Sequence, residues 1–405
     1  MMLAVLLALA SQVCAQNFQV LHTFEGADGV GPGALTMDPA GNLYGATYEG
    51  GILNCSPYPG CGTVFQLSKQ NSNWVFTTLY KFQSKTDGWS PNLPLTVGPG
   101  GLLYGTTLDG GIEGGGGTVF SLKRSCLDLG CNQVVWTKTA LYRFGQCDGA
   151  GTNGGLVLDT AGNLYGTTIE MCGHTGQVYE LSPAQGLQGS WKITVLHVFQ
   201  GPPNDGRWPE GPVVFDQAGN LYGSTLGGGS KDMGTVYELS ASGWVESVLH
   251  SFNGQDGIDP MGNLIFDSSN NIYGITYGDT QPSTAFELTP SNDGWTIGSL
   301  HAFLPGQGQA QSLNSGFVMD AAGNLYGVGG GGAYGHGTVY KLTHSTNGWS
   351  YSSIYYFTGG SDGAGPTGPL VLDENGNLYG SALAGGDANC NFGSGCGTVW
   401  MIKPN

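Results

Sequence analysis

The sequence predicts an all-β fold: a seven-bladed β-propeller with four antiparallel strands per blade, closed by the N-terminal strand completing the last blade. Three observations carry that prediction. The tripeptide Leu-Tyr-Gly, once Ile-Tyr-Gly, recurs with its tyrosine at Tyr44, Tyr104, Tyr165, Tyr222, Tyr273, Tyr326 and Tyr379, spaced 60, 61, 57, 51, 53 and 53 residues apart. Units of that size stack or ring together because none can bury its hydrophobic face alone. Each repeat also holds short runs of alternating apolar and polar residues between Gly, Asn and Asp turns, and no segment sustains a 3.6-residue apolar period. Finally, the last repeat stops one strand short, and a matching strand stands at the other end of the chain.

Repeat six shows the elements in order. Gly316-Phe317-Val318-Met319-Asp320 reads as the first strand and Ala321-Ala322-Gly323-Asn324 as its turn. Leu325-Tyr326-Gly327-Val328 is the second strand, and a glycine-rich connection leads to the third, Gly337-Thr338-Val339-Tyr340-Lys341-Leu342. Trp349 opens the fourth, which ends at Ile354-Tyr355-Tyr356-Phe357. Related endings occur at 79–82, 141–144, 196–199, 249–252 and 300–303. In the last repeat, Gly397-Thr398-Val399-Trp400-Met401-Ile402 is a third strand with no successor, and Val20-Leu21-His22-Thr23-Phe24 supplies it. Pairing the two closes the ring and removes an exposed sheet edge.

Residues 1–15 read as a signal peptide and 16–405 as the propeller. Met1 to Ala10 is a short apolar run, too short to span a bilayer, and Val13-Cys14-Ala15 fits a small-residue cleavage pattern. No C-terminal hydrophobic anchor is read. Without Cys14, eight of nine cysteines remain, an even number suited to an oxidising compartment. Local spacing pairs Cys55 with Cys61, Cys126 with Cys131 and Cys390 with Cys396, leaving Cys147 for Cys172. Their spacing lacks the accompanying histidines or second pair of a zinc site. The chain has 12 Lys and Arg against 29 Asp and Glu, a net charge of −17. That balance excludes the basic footprint needed for nucleic acid or an anionic membrane, and it permits cations, neutral glycans and basic proteins.

The motifs G-N-L-Y-G and G-T-V-[FYW], separated by a glycine-rich gap, resemble the GloVer tandem repeat of choice-of-anchor bacterial proteins over nearly the whole mature chain. The resemblance implies an exported protein, in some members with a C-terminal sorting anchor, and brings no catalytic residues. Here the chain ends at Lys403-Pro404-Asn405 with no hydrophobic tail.

Strands that alternate direction send the fourth-to-first and second-to-third connections to one face. That face collects Asp28, Asp87, Asp148, Asp205, Asp256 and Asp362 at Asp-Gly turns, with none at the entry to repeat six. Two readings compete: turn chemistry, with Asp bonding its own backbone, and an acidic ring that holds Ca²⁺ or a cationic group. Trp89 and Trp208 follow two of these turns, placed either to stack on a sugar ring or to cover a blade junction. Five residues past the marker tyrosine, Glu49, Asp109 and Glu170 occupy blades one to three, where later blades hold Gly or Ala. A carboxylate pair there suits acid/base work on a glycoside, and solvated loop acids are the plainer reading. His174 and Arg207 are other unrepeated polar residues near that face. His22, His197, His250 and His301 share one strand position with tyrosines and read as packing residues with polar tips.

The expectation is therefore a secreted, extracellular or periplasmic monomer that binds an extracellular carbohydrate or protein on the loop face, with Ca²⁺ as the one cofactor entertained. The alternative is a polysaccharide hydrolase or lyase using Glu49, Asp109 and Glu170. Fold alone does not choose between them.

Overall fold

The computed structural model describes residues 17–403, apart from 53–59, 84, 92, 113–114, 129, 132, 146–148, 150, 153, 170–172, 174, 184–190, 279–280 and 314. Seven antiparallel sheets form a ring, with no α-helix among the described residues. Blade four is representative. Its first strand is split into Gly206–Pro209 and Val214–Phe215, and Leu221–Gly228, Thr235–Leu239 and Glu246–Ser251 follow outward. Blade seven is built from both ends of the chain: Asn17–Thr23 pairs antiparallel with Thr398–Lys403, from Asn17 opposite Lys403 to Thr23 opposite Thr398. The predicted closure is present.

The marker tripeptide has a separate task for each residue. Its leucine or isoleucine (Leu43, Leu221, Ile272 and their counterparts) is wholly buried between blades. Its glycine lies under an aromatic side chain of the third strand: a Cβ at Gly45 would sit 2.5 Å from Cζ of Phe65, and one at Gly223 2.3 Å from Oη of Tyr237. Its tyrosine reaches the turn on the face opposite the loops. Asp159 Oδ1 accepts from the backbone N–H of Ala161 and of Asn163, while Oδ2 accepts from the Asn163 amide (2.8 Å) and the Tyr165 hydroxyl (3.1 Å). The same arrangement recurs at Asp38, Asp216, Asp267, Asp320 and Asp373. Blade two has Gly98 at that position.

The fourth strand carries a β-bulge at a constant place. Val64 pairs with Tyr80 but Phe65 with Thr78, leaving Leu79 unopposed, and register shifts of this kind fall at the equivalent position in all seven blades. A bulge re-aims the residues beyond it. Before it, Phe76 stacks on His22 of the preceding blade, ring centroids 3.7 Å apart. Beyond it, Phe82 packs edge-on against Phe120 of the next blade, Phe24, Phe144, Phe199, Phe252 and Phe303 do likewise with Phe65, Tyr179, Tyr237, Phe286 and Tyr340, and Phe357 meets Trp400 at a tilt. One strand thus grips both neighbours. Each such buried aromatic contributes about 0.5–1.5 kcal/mol beyond its area when ring meets ring.

Around the axis the first strands meet backbone to backbone. A Cβ at Gly211 would fall 2.4 Å from the Gly262 carbonyl oxygen, and one at Gly262 would fall 2.4 Å from the Gly316 nitrogen. The closing contact is polar, with Ser381 Oγ donating to the Gly33 carbonyl at 2.5 Å across the blade seven–one boundary. No helix among the described residues is long and apolar enough to cross a membrane.

Candidate functional site

On the loop face, the strand-four histidines and the Asp-Gly aspartates prove to be one device. His22 Nε2 lies 2.8 Å from Asp28 Oδ2, His250 Nε2 2.9 Å from Asp256 Oδ2, and the hydroxyls of Tyr80 and Tyr355 donate to Asp87 and Asp362 at 2.8 and 3.0 Å. Each aspartate also accepts from the backbone of its own turn, as Asp28 does from Glu25 N–H and Asp256 from Asn253 N–H. The blade-six entry, which lacks an Asp-Gly, uses Gln309: its Oε1 lies 3.0 Å from His301 Nε2. Asp148 lies outside the described residues.

The two tryptophans part company. Trp89 is buried in the core between blades one and two, and its backbone bridges Asp109, N–H to O at 3.0 Å. Trp208 is 37% exposed, has φ of +59°, and carries the Arg207 guanidinium 3.9 Å above its ring centroid. Arg207 in turn pairs with Asp232 at 2.7 Å.

Nearer the axis, a cavity of about 490 Å³ opens where blades seven, one and two converge. Tyr48 and Glu49 enter it from the end of the second strand of blade one, Val30 and Thr367 from inner strands, and Leu383 and Asn391 from blade seven. Leu383 is 44% exposed, large for an aliphatic side chain beside a cleft. The Cys390–Cys396 disulfide flanks Asn391 and abuts the entry turn of blade one, where the Cys396 carbonyl accepts from Gly31 N–H at 3.0 Å. A covalent clasp therefore holds one wall in place. Cys126–Cys131 is the other bridge with both partners described, and Cys61 is also disulfide-bonded. Cys55, Cys147 and Cys172 lie outside the described residues.

Glu49 projects into this cavity, and burial raises its carboxyl above the ordinary glutamate value. Burial does the same for Asp109, which sits one blade on and outside the cavity lining. Glu170 and His174 lie outside the described residues. A carboxyl whose burial favours its neutral form is better placed to donate a hydrogen bond or a proton than a solvated loop acid.

Sequence reading missed Tyr48, Leu383 and one whole column. Two residues past the strand-four tryptophan, the blades carry Phe76, Lys138, Ile193, Glu246, Ile297 and Tyr351, with Phe18 equivalent in blade seven. Aligning the repeats on the closing phenylalanine would have exposed the two charged members. Lys138 has a side chain only 4% exposed and pairs with Asp87 Oδ1 at 2.8 Å, its ammonium 5.1 Å from the Phe82 ring centroid.

The family profile described as a Gloeobacter/Verrucomicrobia repeat matches residues 11–189 and 171–400. No curated protein matches the sequence significantly. Among solved structures, the chain is similar to an extracellular domain assigned to a hybrid two-component system of B. thetaiotaomicron: TM-score 0.56, 12% identity, 96% of this chain covered and 40% of that one. The chain thus spans less than half the length of that relative. A protein assigned as a 6-phosphogluconolactonase from Bacteroides fragilis gives TM-score 0.50 at 14% identity, covering 81% of this chain and 86% of that one. A fungal alcohol oxidase in complex with copper gives 0.56 at 14% identity, covering 96% and 76%. At these identities the likeness is one of fold.

Proposed function

The chain belongs to the Gloeobacter/Verrucomicrobia repeat family, and from that premise we propose that it is a secreted binding module whose loop face takes an extracellular carbohydrate or protein segment. The observation that carries this reading is the cavity at blades seven, one and two. It combines an apolar wall with an aromatic edge and one half-buried carboxyl, all fixed by a disulfide and by rigid strands. Ligand sites of this build use apolar area for affinity and a few polar groups for orientation. Tyr48 offers a face to a sugar ring or an apolar side chain, and Glu49 accepts from hydroxyls or a cationic group. Disulfides and an extracellular-domain relative support an extracellular setting. A glycan and polysaccharide array probed with the full chain, with and without Ca²⁺, tests the reading. Tyr48→Ala and Leu383→Asp should each reduce retained signal at least tenfold, and undiminished binding by both would refute the site.

One observation favours a second reading. The carboxyls of Glu49 and Asp109 are both raised by burial, as a general acid requires. A polysaccharide hydrolase or lyase would release product and lose turnover in Glu49→Gln, whereas a binding module would release none and keep its ligand.

A further inference from the structure

Glu246 breaks the strand-four column in a way no other blade does. It lies on the face of blade four that meets blade three, where Phe76, Tyr351 and Phe18 each stack on the histidine or tyrosine of the preceding blade. Glu246 instead brings a carboxyl to His197 and Asp205. The ligand atoms of His197, Asp205 and Glu246 lie within 4.8 Å of one another. His197 Nε2 is 3.3 Å from Asp205 Oδ2 and 3.4 Å from Oδ1, and its ring is held edge-on to Phe199 with centroids 4.7 Å apart. Asp205 is 9% exposed and fixed by donors from its own turn, Gln200 N–H at 2.7 Å and Gly206 N–H at 2.6 Å.

The cluster is more than a gathering of acids. Oε1 of Glu246 is sealed from solvent, and no hydrogen-bond donor among the described residues reaches it. The hydroxyl of Tyr237, a wholly buried residue within the electrostatic reach of both carboxylates, likewise has no partner among the described residues. Arg207 is committed to Asp232 and to the Trp208 ring. Two carboxyl groups and one imidazole thus face one another, and the side chains of His197 and Asp205 remain 18% and 12% exposed, so a small ion can enter. Burying like charges together without a counterion is costly.

We propose that His197, Asp205 and Glu246 form a binding site for a divalent transition-metal ion of the zinc type at the junction of blades three and four. One imidazole nitrogen and two carboxylate oxygens match the ligand chemistry of such an ion and leave a position for solvent or a further ligand. The nitrogen donor disfavours Ca²⁺ and Mg²⁺, which take oxygen. Atoms each about 2.1 Å from one tetrahedral ion stand about 3.4 Å apart, so the widest pair, within 4.8 Å, closes by about 1.4 Å, a shift that a change of glutamate rotamer supplies. Two sister junctions, His22–Asp28 and His250–Asp256, hold the same His–Asp pair without a third donor, because Phe76 and Ile297 replace the glutamate; a third pairs His301 with Gln309 beside Tyr351. The pair alone is therefore a structural latch, and Glu246 turns it into a three-ligand set.

The test uses the full chain freed of metal with a chelator and titrated calorimetrically with Zn²⁺, Co²⁺ or Ca²⁺ alone, with the Co²⁺ absorption spectrum as a second readout. One equivalent of Zn²⁺ and of Co²⁺ should bind, with Ca²⁺ at least 100-fold weaker. Glu246→Ile and His197→Tyr should each weaken Zn²⁺ binding at least 100-fold. Both place residues that sister blades already carry at those positions, so the fold tolerates them. His250→Tyr, at the neighbouring junction, should leave affinity unchanged. No stoichiometric uptake, a preference for Ca²⁺, or unaltered affinity in Glu246→Ile would overturn the proposal.

Discussion

The junction between blades one and two and the junction between blades three and four carry a charge at the same column, with opposite electrostatic results. In the first, Lys138 lies beneath Tyr80, Phe82 and Phe120 and meets Asp87, so a buried cation finds its anion. In the second, Glu246 meets Asp205, and burial first and the Asp205 charge second push its carboxyl up to about 7. One is self-contained and the other wants a cation from outside. The contrast teaches that a repeat column filled elsewhere by ring or aliphatic packing is where a propeller can install function without disturbing its blades.

The largest expected effect comes from breaking the complete pair. Asp87→Ala leaves the Lys138 ammonium buried against aromatic rings and also strands the Tyr80 hydroxyl and Gln83 N–H. It should cost about 3–5 kcal/mol in denaturant unfolding, the usual penalty for orphaning a buried charge. Glu246→Ile should act in the opposite direction. In chelator, replacing an unbalanced buried carboxyl by the residue found in blades three and five should stabilise by about 1–3 kcal/mol. A loss of stability in that variant would mean the two junctions are electrostatically alike after all.

Asp159, Asp216, Asp267, Asp320 and Asp373 on the opposite face provide a reference. Burial opposes their charged form, but hydrogen bonds from the turn asparagines outweigh it and hold each carboxyl below its ordinary value. Stability from a depressed acid is complete above its unfolded value, about 4, and is lost as pH falls through the folded value. An acid titration followed by circular dichroism should therefore show stability falling below about pH 4, and Asp159→Ala should cost about 1 kcal/mol at neutral pH.

The smallest effect tests the latch itself. Burial lowers His301, with the Gln309 hydrogen bond opposing. Gln309→Asp should raise the His301 value, read by NMR titration. The added stability should be below about 1 kcal/mol, present at pH 5 and lost as pH rises through the folded value.

Much of this molecule was legible before any coordinate. The period of the marker tripeptide, the alternation of each strand and the stray fourth strand at the N-terminus together specify the ring and its closure, because each reports a local or repeated physical requirement. The candidate site was legible only in part. Glu49 stood out as a break in the repeat, whereas Tyr48 and Leu383 carry no signal until blades seven and one are brought together. The strand-four column escaped notice because the bulge at residues such as Leu79 shifts which side chains face which neighbour, and simple alternation does not foresee it.

By itself, then, the sequence determined blade number, strand order, the aspartate turns and the pairing of its two ends, since backbone conformation and hydrophobic period are written into short stretches of residues. Only the tertiary structure decided that Lys138 would meet Asp87, 51 residues away, and that Glu246 would meet His197 and Asp205. Charge interactions depend on distance through space and on the water excluded between the groups, and neither is encoded by spacing along a chain.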